Sequence, residues 1–238
     1  MAESEEFSAA DLRGMVFTGE MYGVQFDQLA MFLGVSVNTA RARANRWQRA
    51  GYARTDRLSR GPSWVWLTGS GLAACGLGHL TKQPALFQVA HTRAVTSVRL
   101  ALAATSRYQR AGAFWVSERQ LKAGHRIGGG DHVPDGEVHW PAGADVPWAG
   151  ECWAIEAELS RKTVKRTALI MRQVLLGTGA YGCDSPGAAI GPEIPVPGMP
   201  ARHTRVVYVC SPAAVSTVAR ARASLGSLAA RVEIRSLP

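Results

Sequence analysis

Across residues 24–33 the apolar side chains Phe26, Leu29, Ala30 and Leu33 recur at i, i+3, i+4 and i+7, the spacing of a helix with one buried face. Gly34 is placed to end it. Ser36 is the expected N-cap of a second helix running to about Ala50, which buries Val37, Ala40, Ala44 and Trp47. Its remaining faces carry Asn38, Arg41, Arg43, Asn45, Arg46 and Arg49. Gly51 stops that helix, and residues 52–57 and 63–67 then read as two short strands around a turn at residues 59–62.

From Pro84 the pattern changes. Residues 88–108 predict one long helix with Val89, Val95, Val98 and Leu102 as its apolar stripe. Residues 113–116 predict a strand that ends at Ser117 and Glu118. A glycine-rich loop at 124–130 leads to a strand carrying Asp135, and a Pro/Gly loop at 141–150 leads to a third strand. In that third strand Trp153, Ile155, Ala157 and Leu159 line one face and Glu156 and Glu158 the other, because side chains alternate with period two. Val164, Ala168, Met171 and Leu175 then recur at helical spacing over 161–176. The Pro/Gly-rich stretch 183–200 is expected to be a loop, followed by a strand at 205–210, a helix at 212–225 and a strand at 231–234. The chain therefore reads as α/β in two domains, residues 8–80 and 86–238.

Composition adds direction. The formal charge of +9 favours a polyanionic partner. Arginine is concentrated in residues 41–60, where Asp56 is the only acid, and in the run 161–166 that follows the paired glutamates. Cys75, Cys152, Cys183 and Cys210 show no C-x-x-C spacing, which argues against a structural zinc site and for reduced, buried thiols. The N-terminus is acidic and no window has the long uncharged stretch of a membrane helix, so a cytoplasmic chain with no membrane partner is expected.

Helix, turn, arginine-rich helix and hairpin resemble a winged helix-turn-helix, and Leu67-Thr68-Gly69-Ser70-Gly71 looks like the segment that closes the wing in many bacterial members. The resemblance implies double-stranded DNA as partner. The second helix would enter the major groove with Asn38, Arg41 and Asn45 near base edges. Arg43, Arg46 and Arg49 share that helix, and Arg54, Arg57 and Arg60 on the wing would touch phosphate. A winged helix that reads palindromes dimerises as a rule, so a homodimer stays open.

Paired acids in an apolar element repel one another unless a cation or basic group lies between them. The order helix, strand, strand, strand, helix, strand, with Pro134-Asp135 and Glu156-Ala157-Glu158 on the second and third strands, resembles the PD-(D/E)XK nuclease fold, a restriction-endonuclease-like domain. That likeness implies Mg²⁺ or Mn²⁺ on Asp135, Glu156 and Glu158, activating water against a phosphodiester. The nuclease motif has lysine where this chain has Glu158. Lys162, about a helical turn further on, is the expected substitute, with Lys165 as the other candidate. Glu118 is a further candidate acid.

His132 and His125 lie near enough in sequence to approach a metal or phosphate, although no spaced second histidine ligand is evident. His91 is expected to cap or pack the linking helix. The whole arrangement resembles the replication-relaxation family of actinobacterial mobile elements, related to plasmid mobilisation relaxases. A relaxase can use a tyrosine nucleophile, for which Tyr181 is the candidate. The likeness implies metal-dependent DNA nicking in mobilisation or replication. The alternatives are a sequence-specific DNA-binding regulator with a catalytically inactive nuclease-like domain, and an assembly protein whose basic faces meet other proteins.

Overall fold

A computed structural model describes residues 7–58, 61–124, 132–176 and 203–238. The fold is mixed α/β and divides into two compact units, one formed by Met1–Thr105 with Ser117–Gly124 and the other by Ser106–Val116 with His125–Leu237. Among the described residues no helix is long and apolar enough to cross a membrane.

The first unit opens with helix α1 (Ala9–Glu20), capped by Ser8, whose hydroxyl accepts from the Asp11 backbone while the Asp11 carboxylate receives the Ser8 N–H. Strand β1 (Val24–Gln25) leads into α2 (Phe26–Leu33), which Gly34 ends in the left-handed conformation at φ 65°. Helix α3 (Val37–Arg49) begins at the Ser36 cap and buries Ala40, Ala44 and Trp47. Strands β2 (Ala53–Asp56) and β3 (Trp64–Leu67) form an antiparallel hairpin with Thr55 opposite Val65, and β1 adds to the far side of β3. A short helix α4 (Gly69–Ala74) follows, with Thr68 as its cap. Gly71 is required there, since a β-carbon would meet the Tyr52 carbonyl oxygen at 2.0 Å.

The long helix expected at 88–108 is instead two: α5 (Val89–Ala103) and α6 (Ser106–Arg110). Thr105 turns its hydroxyl back to the Leu102 carbonyl at the break, the local competition with helix bonds that hydroxyl residues offer. α5 belongs to the first unit, contrary to a boundary before residue 86. Val89 packs with Trp64 and Trp66, Arg93 holds the Asp27 carboxylate at 2.7 Å, and Arg99 holds Glu20 at 2.7 Å. Helix α7 (Glu118–Gly124) joins the same unit through Arg119, whose guanidinium donates to the Gly19 carbonyl and stacks on Tyr22.

The second unit is a five-stranded sheet in the order β4 (Phe114–Ser117), β5 (Gly136–His139), β6 (Cys152–Glu158), β7 (Arg205–Cys210), β8 (Val232–Ser236). β5 and β6 are antiparallel, and β6, β7 and β8 are parallel. Helices α8 (Val164–Leu176) and α9 (Pro212–Ala223) make the crossovers that parallel strands need. Their apolar stripes, Met171 and Leu175 on one and Ala214 and Val218 on the other, cover Ala154, Val206, Tyr208 and Cys210. The opposite face carries Trp153, whose ring packs on Trp140 and Trp148 with centroids 5.0 and 5.3 Å away.

Candidate functional site

Alternation along β6 places Ala154, Glu156 and Glu158 on the face that α8 and α9 cover, in register with Val206, Tyr208 and Cys210 of β7. Antiparallel pairing of Gly136 with Ile155 brings the preceding residue, Asp135, to the same place, and its Oδ2 accepts the Ala157 N–H at 2.8 Å. Glu156 and Glu158 are each only 5 % exposed, so neither can be left without compensation. His132 supplies it for Glu156, with Nε2 2.6 Å from Oε1, and Lys162 for Glu158, with Nζ 2.6 Å from Oε2. Burial, seconded by the Asp135 charge, pushes the Glu156 carboxyl upward against the pull of His132 and Lys162. Burial opposes charge on His132, yet Glu156 and Asp135 together raise its pKa.

Two details depart from the sequence reading. Lys162 lies in the loop between β6 and α8, since α8 starts only at Val164. From that irregular backbone it pairs with Glu158. Lys165 is exposed on the first turn of α8. The Tyr208 hydroxyl, opposite Glu156, is buried with no hydrogen-bond partner among the described residues. Burial first, and then the Glu156, Glu158 and Asp135 carboxylates, push its pKa well above the usual phenol value.

On α3 the six polar residues separate. Asn38, Arg41, Asn45 and Arg49 are exposed and follow one another at helical spacing, so they form one row. The Arg41 guanidinium rests over the Phe26 ring, 6.0 Å from its centroid. Arg43 and Arg46 turn inward. Both pair with Asp11 of α1, which has no exposed surface and also accepts the Trp47 indole N–H at 3.0 Å. Arg54 and Arg57 are exposed on and just after β2. Arg60, His125, Tyr181 and Cys183 lie outside the described residues. Glu118 stands at the start of α7 with Lys122 as its ion-pair partner, within the first unit.

A second cluster was not expected. Glu137 on β5 meets His203 at 2.6 Å and His139 at 2.7 Å, and the Cys152 thiol at the start of β6 lies 3.7 Å from the same carboxylate. Among the described residues, the group whose ligand atoms all lie within 4.8 Å of one another is Glu137, Cys152 and His203. Asp135, Glu156 and Glu158 share a face without closing to that degree. Burial works upward on Glu137, but hydrogen bonds from His139 and His203 outweigh it and take the carboxyl down to about 2. Burial and the Glu137 carboxylate push the Cys152 thiol well up. No spaced second ligand was evident for His132 or His125, and this cluster gathers different histidines. His139 and His203 are brought together by pairing of β5, β6 and the approach to β7, which local spacing does not reveal.

No family model matches the chain, and no curated protein is significantly similar to it in sequence.

Proposed function

We propose that this chain is a DNA-binding protein of a plasmid or other mobile element, of the replication-relaxation type, that docks on duplex DNA through a winged helix-turn-helix and nicks it with a PD-(D/E)XK-like domain. The observation that carries DNA binding is the exposed row Asn38, Arg41, Asn45 and Arg49 on α3, beside a hairpin with Arg54 and Arg57 exposed. A single polar, cationic helix face with its apolar side buried is the form that major-groove reading takes.

Nicking rests on Asp135, Glu156 and Glu158. Their donors are all oxygen, the chemistry that suits Mg²⁺ or Mn²⁺, and the buried Tyr208 hydroxyl, with no hydrogen-bond partner among the described residues, is a polar group such a hydrated ion would satisfy. Asp135, Glu156 and Glu158 would hold such a cation, which would supply an activated water for attack on a phosphodiester. The chain's own part is to orient Asp135 through the Ala157 N–H, to share a proton between His132 Nε2 and Glu156 Oε1, and to hold Lys162 beside Glu158. Lys162 is then at hand for charge developing on phosphate.

Two observations favour the regulator reading, in which the nuclease-like domain is an inactive scaffold. Lys162 is already committed to Glu158, and the three carboxylates do not converge on one point. The deciding experiment is nicking of supercoiled plasmid with Mg²⁺ or Mn²⁺ by wild type, Asp135→Ala and Glu158→Ala, with binding of the same DNA measured in parallel. Nicking by wild type that both variants lose with binding intact supports the enzyme. Tight binding without metal-dependent nicking overturns it and leaves the regulator.

A further inference from the structure

We propose that Glu137, His139, Cys152 and His203 form a binding site for a borderline divalent transition metal, of which Zn²⁺ fits the donors best. This inference stands apart from the nicking reading, because it uses a different set of ligands.

The donor set decides the metal class. Two imidazoles, one sulfur and one carboxylate are the ligands that zinc selects, whereas magnesium takes oxygen alone. The charges also balance, since a Cys152 thiolate and the Glu137 carboxylate together cancel a divalent cation while both imidazoles stay neutral.

The ligand atoms of Glu137, Cys152 and His203 all lie within 4.8 Å of one another, and His139 stands against Glu137 and Cys152 as the fourth donor. Zinc bonds of about 2.0–2.1 Å to nitrogen and about 2.3 Å to sulfur place tetrahedral ligand atoms roughly 3.4–3.6 Å apart. Cys152 Sγ and His139 Nε2 are 3.6 Å apart. The Glu137 contacts at 2.6 and 2.7 Å would open by less than about 1 Å, within the reach of side-chain rotation.

The strongest pointer is His203. Its Nδ1 lies 3.0 Å from the Val174 carbonyl oxygen, and a carbonyl can only accept, so Nδ1 carries the proton of that bond. In a neutral ring the Nε2 lone pair then faces Glu137 Oε1 at 2.6 Å. Two acceptors at that distance need a cation between them, either a proton or a metal ion. A backbone carbonyl on the far nitrogen is also the usual device that orients a metal-binding histidine.

The surroundings hold the ligands in place. Thr204 donates its N–H to the Cys152 carbonyl at 2.9 Å, and the Arg231 guanidinium donates to the His203 and Thr204 carbonyls. The His139 ring stacks on Phe114, 7° from parallel with centroids 5.0 Å apart. Cys152, His203 and His139 are thus each held by neighbours that are not themselves ligands, as built metal sites require.

The test uses the full chain, stripped of metal by chelator and titrated with Co²⁺ alone, then with Zn²⁺ in competition. We expect one Co²⁺ per chain to give a thiolate-to-cobalt charge-transfer band and ligand-field bands of tetrahedral intensity, while any Co²⁺ on the oxygen donors Asp135, Glu156 and Glu158 adds no charge-transfer band. Cys152→Ser should abolish the charge-transfer band. His203→Asn should weaken Zn²⁺ by more than the roughly 10–100-fold that loss of an outer-sphere partner costs, while Glu156→Gln leaves both unchanged. No stoichiometric binding by wild type, or a charge-transfer band that survives in Cys152→Ser, overturns the site. Should Cys152→Ser fail to fold, the wild type still decides. Zn²⁺ should protect Cys152 from alkylation, read by mass spectrometry, and equal labelling with and without Zn²⁺ rejects the proposal.

Discussion

Trp47 donates its indole N–H to Asp11 Oδ1 at 3.0 Å, and the same buried carboxylate pairs with Arg43 and Arg46. One acid on α1 therefore fixes the rotation of α3 about its axis, and with it the side chains α3 shows to solvent.

Asp11→Asn should destabilise the chain by about 2–3 kcal/mol, the worth of charge-assisted hydrogen bonds to a buried carboxylate whose partners are partly exposed. The pH dependence has a definite sign. Burial acts upward on Asp11, but bonds from Ser8 and Trp47 and the charges of Arg46 and Arg43 overcome it, so its folded pKa is below the ordinary value of 3.8. Stability from a depressed carboxyl is full above the unfolded pKa and is lost as pH falls through the folded one. Urea midpoints of wild type and Asp11→Asn should differ by a constant amount near neutrality and converge below about pH 4. A gap that persists or widens on acidification would contradict this role.

Arg41→Ala and Arg49→Ala should each weaken DNA binding and, where the arginine touches phosphate, reduce the slope of log affinity against log salt by about 0.9. Thermal stability should be unchanged, since both residues are exposed. Arg43→Ala should do the reverse and cost about 1 kcal/mol of stability through Asp11. If the exposed pair leaves affinity and salt slope untouched, α3 is not the DNA-reading element.

A β-carbon at Gly136 would fall 2.1 Å from the Trp115 indole. Gly136→Ala should therefore cost about 1–3 kcal/mol by overpacking, and Trp115→Leu should absorb much of that cost in a double-mutant cycle. Additive effects would show that the strand shifts to accept the methyl group.

Local pattern revealed α2, α3, the hairpin and the acid-bearing face of β6, because each depends on neighbours within a few positions. Helix α1 escaped notice because its buried face includes the polar residues Asp11, Thr18 and Glu20, which blur an apolar period. The inward turn of Arg43 and Arg46 followed from that omission, since their partner lies on α1. The attachment of α5 rests on Arg93 with Asp27 and Arg99 with Glu20, pairs between distant positions. The same distance hid Glu137, Cys152 and His203, which only strand pairing unites.

The parallel course of β6 and β7 sorts the two side-chain clusters. Cys152 opens β6 and His203 stands just ahead of β7, whereas Glu158 and Cys210 close those strands. Cys152 and Glu156 are four residues apart on β6, about 13 Å, so the clusters occupy different levels along one face of the sheet. Ligands of open α/β sheets gather outside the carboxyl ends of parallel strands. On the proposed reading the acidic end is the one open to chemistry while Glu137 and His203 hold β5 to the approach of β7, so loss of His203 would be felt first as melting and only then as a change among the carboxylates.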